Sequence, residues 1–287
     1  MRRLTRGEYA LVSPDGKTIA VSKRSGIHTI GPDGRGERLV GRGKPAAWFT
    51  DSQHLLTIRG EALVVIDLED GGVAVVDRGP VAGSVSPNGE KVAYDRFQKT
   101  GRPWPCDESS DIYIADLDGT SRRQLTTDGR SSTPVWGAHW IAFARLPEDF
   151  DCSYPTPRIW KMRPDGRGVT PIMRTLPGRF RSGGRYGVRP HAWVHGRPRL
   201  IATTPTEWGA ELALVETRSG KVGEVDLDPR PKYVTAMYVD ATSSDGLYIV
   251  GAACGAEFPC TIRIYSVARG RARELITGRV AYPHWNR

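Results

Sequence analysis

The chain has 287 residues, 39% apolar and 25% charged, which supplies material for a core and excludes wholesale disorder. No run is long and apolar enough for a membrane span, and the basic N-terminal stretch Met1–Glu8 lacks the apolar segment of a secretory signal, so neither is expected. The net charge of +9, from 41 Lys and Arg against 32 Asp and Glu, favours anionic partners, although arginines scattered over turns and outer strands account for it equally well.

From Tyr9 onward two turn signals alternate. The first is Ser13-Pro14-Asp15-Gly16 leading into Thr18-Ile19-Ala20-Val21, repeated as Ser86-Pro87-Asn88-Gly89 before Val92-Ala93-Tyr94. Degenerate copies stand at Thr50-Asp51-Ser52 and Ser243-Ser244-Asp245-Gly246. Proline presets φ at the first corner, Asp or Asn bonds its own backbone, and Gly accepts the positive φ that a tight connection needs. The second signal is a hairpin built on Asp-Gly. It reads Asp111-Ile112-Tyr113-Ile114-Ala115-Asp116-Leu117-Asp118-Gly119 and again Arg158-Ile159-Trp160-Lys161-Met162-Arg163-Pro164-Asp165-Gly166. Further copies lie at Ile30–Gly34 and Ile66–Gly71, with weaker ones at Val215–Gly220 and Tyr265–Gly270.

Interleaved, the two signals give four antiparallel strands per unit, with a period of about fifty residues at its clearest, the spacing of a repeat architecture. Six units are expected: Glu8 to Val40, Lys44 to Asp77, Pro80 to Thr126, Thr133 to Met173, Arg189 to Leu227 and Tyr233 to Ile276. No helical periodicity of useful length intervenes. The expected fold class is therefore all-β: a six-bladed β-propeller of four-stranded antiparallel blades, forming one domain over 1–287. Pro45-Ala46-Ala47-Trp48, Pro134-Val135-Trp136 and Pro190-His191-Ala192-Trp193 each open a unit. Pro283-His284-Trp285 ends the chain with no blade behind it, so that strand is expected to close the ring. The tryptophans read as interblade packing, since an indole buries a large area between radial sheets.

The Ser-Pro-Asp-Gly turn, together with the Ile-Tyr hairpin that ends in Leu125-Thr126, resembles the WD40-like repeats of TolB-type β-propellers. The resemblance spans essentially the whole chain and implies the propeller alone. Neither TolB's extra N-terminal domain nor a following hydrolase domain is expected, since nothing here is long enough for the first and the chain holds no Gly-x-Ser-x-Gly motif.

Cys106 and Cys152 occupy the same slot before the two hairpin strands at Ile112 and Ile159, and Cys254 and Cys260 flank a short loop of the sixth unit. Pairing by repeat position predicts two disulfides, and hence a periplasmic or secreted location despite the missing signal. The competing readings are buried free thiols in a cytoplasmic protein and a zinc site. The carboxylates Asp107, Glu108, Asp111, Glu148, Asp149 and Asp151 crowd two neighbouring loops, a chemistry that suits Ca²⁺ or another divalent ion, or simply a solvated loop. His191 and His284 follow proline at matching inner-strand places and form a candidate metal pair; His139 is a third candidate. Arg179, Arg181, Arg185 and Arg189, interleaved with Phe180 and Tyr186, form the densest basic patch.

No nucleophile–base pair, phosphate-binding glycine loop or paired-carboxylate motif is evident. The leading expectation is a non-catalytic binding scaffold that requires no cofactor and works as a monomer. Its protein or glycan partner is expected on the loop face carrying Trp104, Asp107, Glu108, Asp149, Asp151 and Tyr154. The rival is a metal-assisted lyase or hydrolase acting on a polysaccharide or lactone in a central channel. Nucleic-acid binding through the arginine patch ranks third.

Overall fold

The structure, a computed structural model, describes residues 9–102, 107–150, 156–173, 187–194, 196–206, 209–224, 234–242, 248–255, 261–266 and 271–277. Among these residues there is no helix, and the strands form six four-stranded antiparallel sheets, each in sequential order. The chain divides into two compact units, 1–176 with 187–190, and 177–186 with 191–287.

In the first unit, sheet 1 comprises β1 (Tyr9–Val12), β2 (Ile19–Lys23), β3 (Gly26–Ile30) and β4 (Arg38–Gly41). Sheet 2 comprises β5 (Lys44–Trp48), β6 (His54–Arg59), β7 (Ala62–Asp67) and β8 (Val73–Arg78). Sheet 3 comprises β9 (Pro80–Val85), β10 (Lys91–Lys99), β11 (Glu108–Asp116) and β12 (Arg123–Gln124). Sheet 4 comprises β13 (Ser131–Trp136), β14 (Ile141–Arg145), β15 (Arg158–Met162) and β16 (Thr170–Pro171).

The two turn signals form as their residues dictate. Ser13 Oγ donates to Asp15 Oδ1 at 2.6 Å, the Thr18 N–H donates to Ser13 Oγ at 3.0 Å, and Gly16 takes φ +72°. The Ser86 copy repeats this: Ser86 Oγ to Asn88 Oδ1 at 2.7 Å, the Lys91 N–H to Ser86 Oγ at 2.9 Å, Gly89 at φ +75°. In the degenerate copy Ser52 stands where glycine is expected and holds φ +60°. The hairpin turns are equally alike, with the Gly119 N–H on Asp116 O at 3.0 Å and the Gly166 N–H on Arg163 O at 2.8 Å.

The core lies between sheets, and strand alternation decides which interface each side chain enters. On β7, Leu63 and Val65 join Phe49, Leu56, Val76, Val92, Tyr94, Tyr113 and Ala115 between sheets 2 and 3. Ala62, Val64 and Ile66 of the same strand turn the other way, to Ala20, Ile27 and Leu55 between sheets 1 and 2. On β10 and β11, Ala93, Ile112 and Ile114 meet Ile141, Phe143 and Met162 between sheets 3 and 4. A sheet buried on both faces needs apolar side chains at every position of its middle strands, hence the unbroken run Ala62–Ile66. Each such Leu or Ile contributes about 1.5–3 kcal/mol by its burial. The Trp48 indole N–H donates to Leu11 O at 3.0 Å and ties sheet 2 to sheet 1, the interblade role expected of it.

The second unit holds β17 (Arg189–Trp193, whose first two residues count with the first unit), β18 (Arg199–Thr206), β19 (Gly209–Glu216) and β20 (Val222–Glu224) as sheet 5. Sheet 6 is β21 (Val234–Thr242), β22 (Tyr248–Gly255), β23 (Thr261–Ser266) and β24 (Arg271–Thr277). Leu200, Ile201, Ala202, Ala213 and Val215 are buried in sheet 5.

Candidate functional site

The first strands of sheets 2, 3 and 4 are each bulged. Between β5 and β6 the register jumps from Pro45–Thr57 to Ala47–Leu56. Between β9 and β10 it runs from Tyr94–Gly83 to Arg96–Pro80, so Val81 and Ala82 together oppose Asp95. Between β13 and β14 it runs from Ser132–Ala144 to Val135–Ala142, so Thr133 and Pro134 oppose Phe143. Bulges re-aim side chains and break pairing, and they favour strands next to sites.

Asp95 joins two of these bulges. It is 1% exposed, accepts the Ala82 N–H on Oδ1 at 2.7 Å, and accepts the Thr133 N–H on Oδ2 at 2.8 Å. Thr133 holds φ +49°, uncommon for a β-branched residue, and its Oγ1 is buried without a hydrogen-bond partner. Arg189, at the start of β17, lies in the field of the Asp95 carboxylate; burial lowers its pKa and its Nε has no hydrogen-bond partner. Arg189, one of the arginines of the expected basic patch, also opens the fifth expected unit. It follows a glycine-rich connection but begins a strand, and the strand carries it inward.

The same end of sheets 3 and 4 carries the long connections. Antiparallel pairing sets the starts of β9 and β13 beside the ends of β10 and β14, from which the segments 100–107 and 146–157 depart. The Asp95–Thr133 bond and a parallel bridge between Ser110 and Arg130 join the two sheets there. Lys99 Nζ reaches Asp107 at 2.7 Å and Glu108 at 2.8 Å. Its hydrogen bond holds the Asp107 carboxyl below the usual range, and the two acids raise Lys99 to about 12. Arg130 pairs with Glu148 at 3.4 Å, and Asp149 is exposed. Asp111 instead accepts from Thr126 Oγ1 at 2.8 Å and the Gly129 N–H at 3.1 Å, with burial raising its pKa. These carboxylates are thus shared out among separate cations and donors, and among the described residues no three His, Cys, Asp or Glu are placed to hold a metal ion.

A second buried polar group sits between sheets 2 and 3. Asp77 is 4% exposed and its Oδ1 pairs with Arg122 Nη1 at 3.2 Å. Burial and then the Asp77 carboxylate push the Tyr94 phenol well above its usual pKa. The two approach without a well-formed hydrogen bond, leaving Tyr94 Oη and Asp77 Oδ2 unsatisfied.

Burial also lowers the pKa of His191 on β17, which favours the neutral imidazole. His139 is exposed, beside Trp140 and Arg163 in a shallow concavity of sheet 4. Trp104, Cys106, Asp151, Cys152, Tyr154, Arg179, Arg181, Arg185, Cys260 and His284 lie outside the described residues, as does the side chain of Cys254, whose backbone pairs with Ala236 in sheet 6.

Sequence reasoning missed two constellations. Asp95 directly follows the apolar run Val92-Ala93-Tyr94 and is buried with it, a break in the pattern that is visible in the sequence. Ser25, His28 and Glu37 meet on sheet 1, with Ser25 Oγ 2.8 Å from His28 Nε2 and His28 Nδ1 3.0 Å from Glu37 Oε1. Neither spacing matches a known nucleophile motif; the hairpin turn brings them together.

No family model matches the sequence, and no curated protein matches it. Solved structures do. An oligogalacturonate lyase from Vibrio parahaemolyticus is 15% identical, with a TM-score of 0.66 over 96% of this chain and 81% of that one. An oligogalacturonate lyase in complex with manganese is 12% identical, with a TM-score of 0.65 over 94% and 76%. TolB from Acinetobacter baumannii is 16% identical, with a TM-score of 0.60 over 94% and 64%. The chain therefore has the fold of a TolB-like β-propeller, as the repeat residues led one to expect. At these identities the likeness extends to fold alone. Among the described residues no helix is long and apolar enough to cross a membrane.

Proposed function

We propose that residues 1–287 form a single six-bladed propeller, its ring closed by the C-terminal strand, that serves as a binding module whose loop face is non-catalytic. Its protein or glycan partner seats on the face where the connections after β10 and β14 emerge, and the module acts as a monomer. The observation that carries this reading is the Asp95 bond across the bulged starts of β9 and β13, which makes a fixed platform under both long connections. A rigid scaffold presenting variable loops is the usual design of a recognition surface. Lys99 and Arg130 pin the carboxylates at the roots of those loops, which favours fixed recognition over calcium binding.

The decisive experiment replaces 100–106 and 147–156 by short Gly-Ser turns and compares the variant with the parent on a glycan array and against the partner captured from native extract. Loss of binding with the β-sheet circular-dichroism spectrum retained is expected; the melting temperature falls because the variant also lacks Cys106 and Cys152. Undiminished binding by the loop variant would overturn the reading. An extracytoplasmic location belongs to the same proposal and rests on pairing Cys106 with Cys152 and Cys254 with Cys260. Four titratable thiols per chain in denaturant without reductant would sink it.

A metal-assisted lyase or hydrolase is the second reading, favoured by the likeness to the manganese-bound oligogalacturonate lyase and by His191, whose neutral imidazole is the form that ligates metal. His284, its candidate partner, lies outside the described residues, among which no three His, Cys, Asp or Glu are placed to hold an ion. Metal analysis of purified protein, with an assay for unsaturated uronate release from oligogalacturonate, separates the two readings.

A further inference from the structure

We propose that Ser25, His28 and Glu37 form a nucleophilic serine site, separate from the loop face, that takes acyl groups from small activated carboxylic esters. The arrangement follows from strand register. His28 on β3 pairs with Leu39 on β4, so Glu37, two residues earlier, projects from the same face as His28. Val21 pairs with His28, which puts Lys23 on that face too, and its ammonium pairs with Glu37 and fixes the carboxylate. The β2–β3 connection is only Arg24-Ser25, so the hydroxyl hangs over the start of β3, within reach of the imidazole. Gly26 makes this tight return: it holds φ +133°, and a Cβ there would lie 2.3 Å from Gly41 O.

The order of contacts is that of a nucleophile, its base and the base's orienting acid. With the imidazole proton on Nδ1 facing Glu37, Nε2 presents its lone pair to the Ser25 hydroxyl. Glu37 holds that tautomer and stabilises the imidazolium once formed. Ser25 is exposed while the His28 side chain is 17% exposed, so an acyl donor reaches the hydroxyl and the base stays sheltered. Ser25 Oγ attacks the ester carbonyl carbon as His28 Nε2 takes the hydroxyl proton. The alkoxide or phenolate leaves with that proton, and acyl-Ser25 remains. Water then attacks the acyl carbon with His28 again as base, which releases the carboxylic acid and restores the hydroxyl. An open surface site of this kind suits small acyl groups on good leaving groups.

The test is the intact chain with 4-nitrophenyl acetate, reading nitrophenolate release and mapping the added acetyl by peptide mass. An initial burst approaching one equivalent, with the acetyl on the peptide carrying Ser25, is expected. Ser25→Ala should abolish that label while leaving the melting temperature unchanged, because the side chain is exposed. His28→Ala should slow labelling by at least about a hundredfold, the usual worth of a general base. His28→Asn serves the same purpose should the alanine variant fold poorly. Glu37→Gln should slow labelling while keeping the acetyl on Ser25. Acetyl found only on lysines, or a Ser25→Ala chain labelled like the parent, would overturn the proposal. Neither result touches the loop-face reading, which is tested by partner binding.

Discussion

Asp95 accepts the backbone N–H of Thr133 from the neighbouring sheet at 2.8 Å, and with its other oxygen the N–H of Ala82 in its own sheet. One buried carboxylate therefore satisfies two bulged strands at once and sits opposite the Arg189 guanidinium. Removing it by Asp95→Ala leaves two backbone donors without an acceptor and takes a negative charge away from the buried Arg189. Leaving buried donors unsatisfied in this way costs about 1–3 kcal/mol each. Asp95→Asn keeps one oxygen but turns an amide N–H₂ toward a backbone donor, for a loss of roughly 1–3 kcal/mol. Urea unfolding should rank parent above Asn above Ala. A Leu or Met that matched the parent would show that the carboxylate is dispensable.

Thr133 carries two penalties, a left-handed backbone at φ +49° and a buried hydroxyl without a partner. Strain of this kind costs on the order of 1–3 kcal/mol and survives where the surroundings enforce it. Thr133→Gly removes both penalties and keeps the N–H that Asp95 binds. The variant should gain about 1 kcal/mol, less than the strain released because glycine also loosens the unfolded chain. If the bulge shapes the recognition face, the stabilised variant binds the partner more weakly, as a titration of both proteins would reveal.

The hydrogen bond from Lys99 lowers the pKa of Asp107 and raises that of Lys99 to about 12. The signs give two windows. Asp107 contributes stability above its unfolded value of 3.8, and that contribution is lost as pH falls through the lower folded value. Lys99 contributes below its unfolded value of 10.5, and that contribution is lost as pH rises through about 12. Lys99→Met should bring the Asp107 carboxyl back toward 3.8 in a carbon-detected NMR titration. An unmoved midpoint would mean that the pair does not persist in solution.

Local chemistry made the architecture legible. Ser13 and Ser86 announce the same turn because Ser, Asp or Asn, and Gly each answer a specific backbone demand, and the bonds formed are the same in both copies. The site was less legible because its contacts are between sheets. Nothing near Asp95 in sequence marks Thr133 as its partner, 38 residues away. Arg189 is legible as the first residue of the fifth unit, but nothing in the sequence places it near the Asp95 carboxylate. The Ser25–His28–Glu37 contacts arise because the β2–β3 turn and the residue just before β4 both flank His28 on β3, which no linear spacing rule encodes.

The approach of sheet 3 to sheet 2 at Gly119 gives the sharpest structural prediction. This glycine closes the repeated hairpin at φ +80°, and a Cβ there would lie 2.6 Å from both Val75 O and Val76 O of β8. The contact covers part of an outer strand whose Val73 and Val75 side chains are exposed, and Arg122 of the same hairpin reaches Val76 O and Asp77 beside it. Gly119→Ala thus forces either a backbone clash or withdrawal of the hairpin, and withdrawal would pull Arg122 away from a buried carboxylate. The expected loss is on the order of 2–4 kcal/mol, combining a disfavoured φ with a weakened ion pair. Gly16→Ala is the control, since it shares the positive φ but has no atom within 4 Å of the added carbon. It should cost about 1 kcal/mol from backbone conformation alone. Equal losses in the two variants would show that the sheets do not meet as closely as the hairpin tip requires. A larger loss at Gly119 places the added cost in the contact between the sheets.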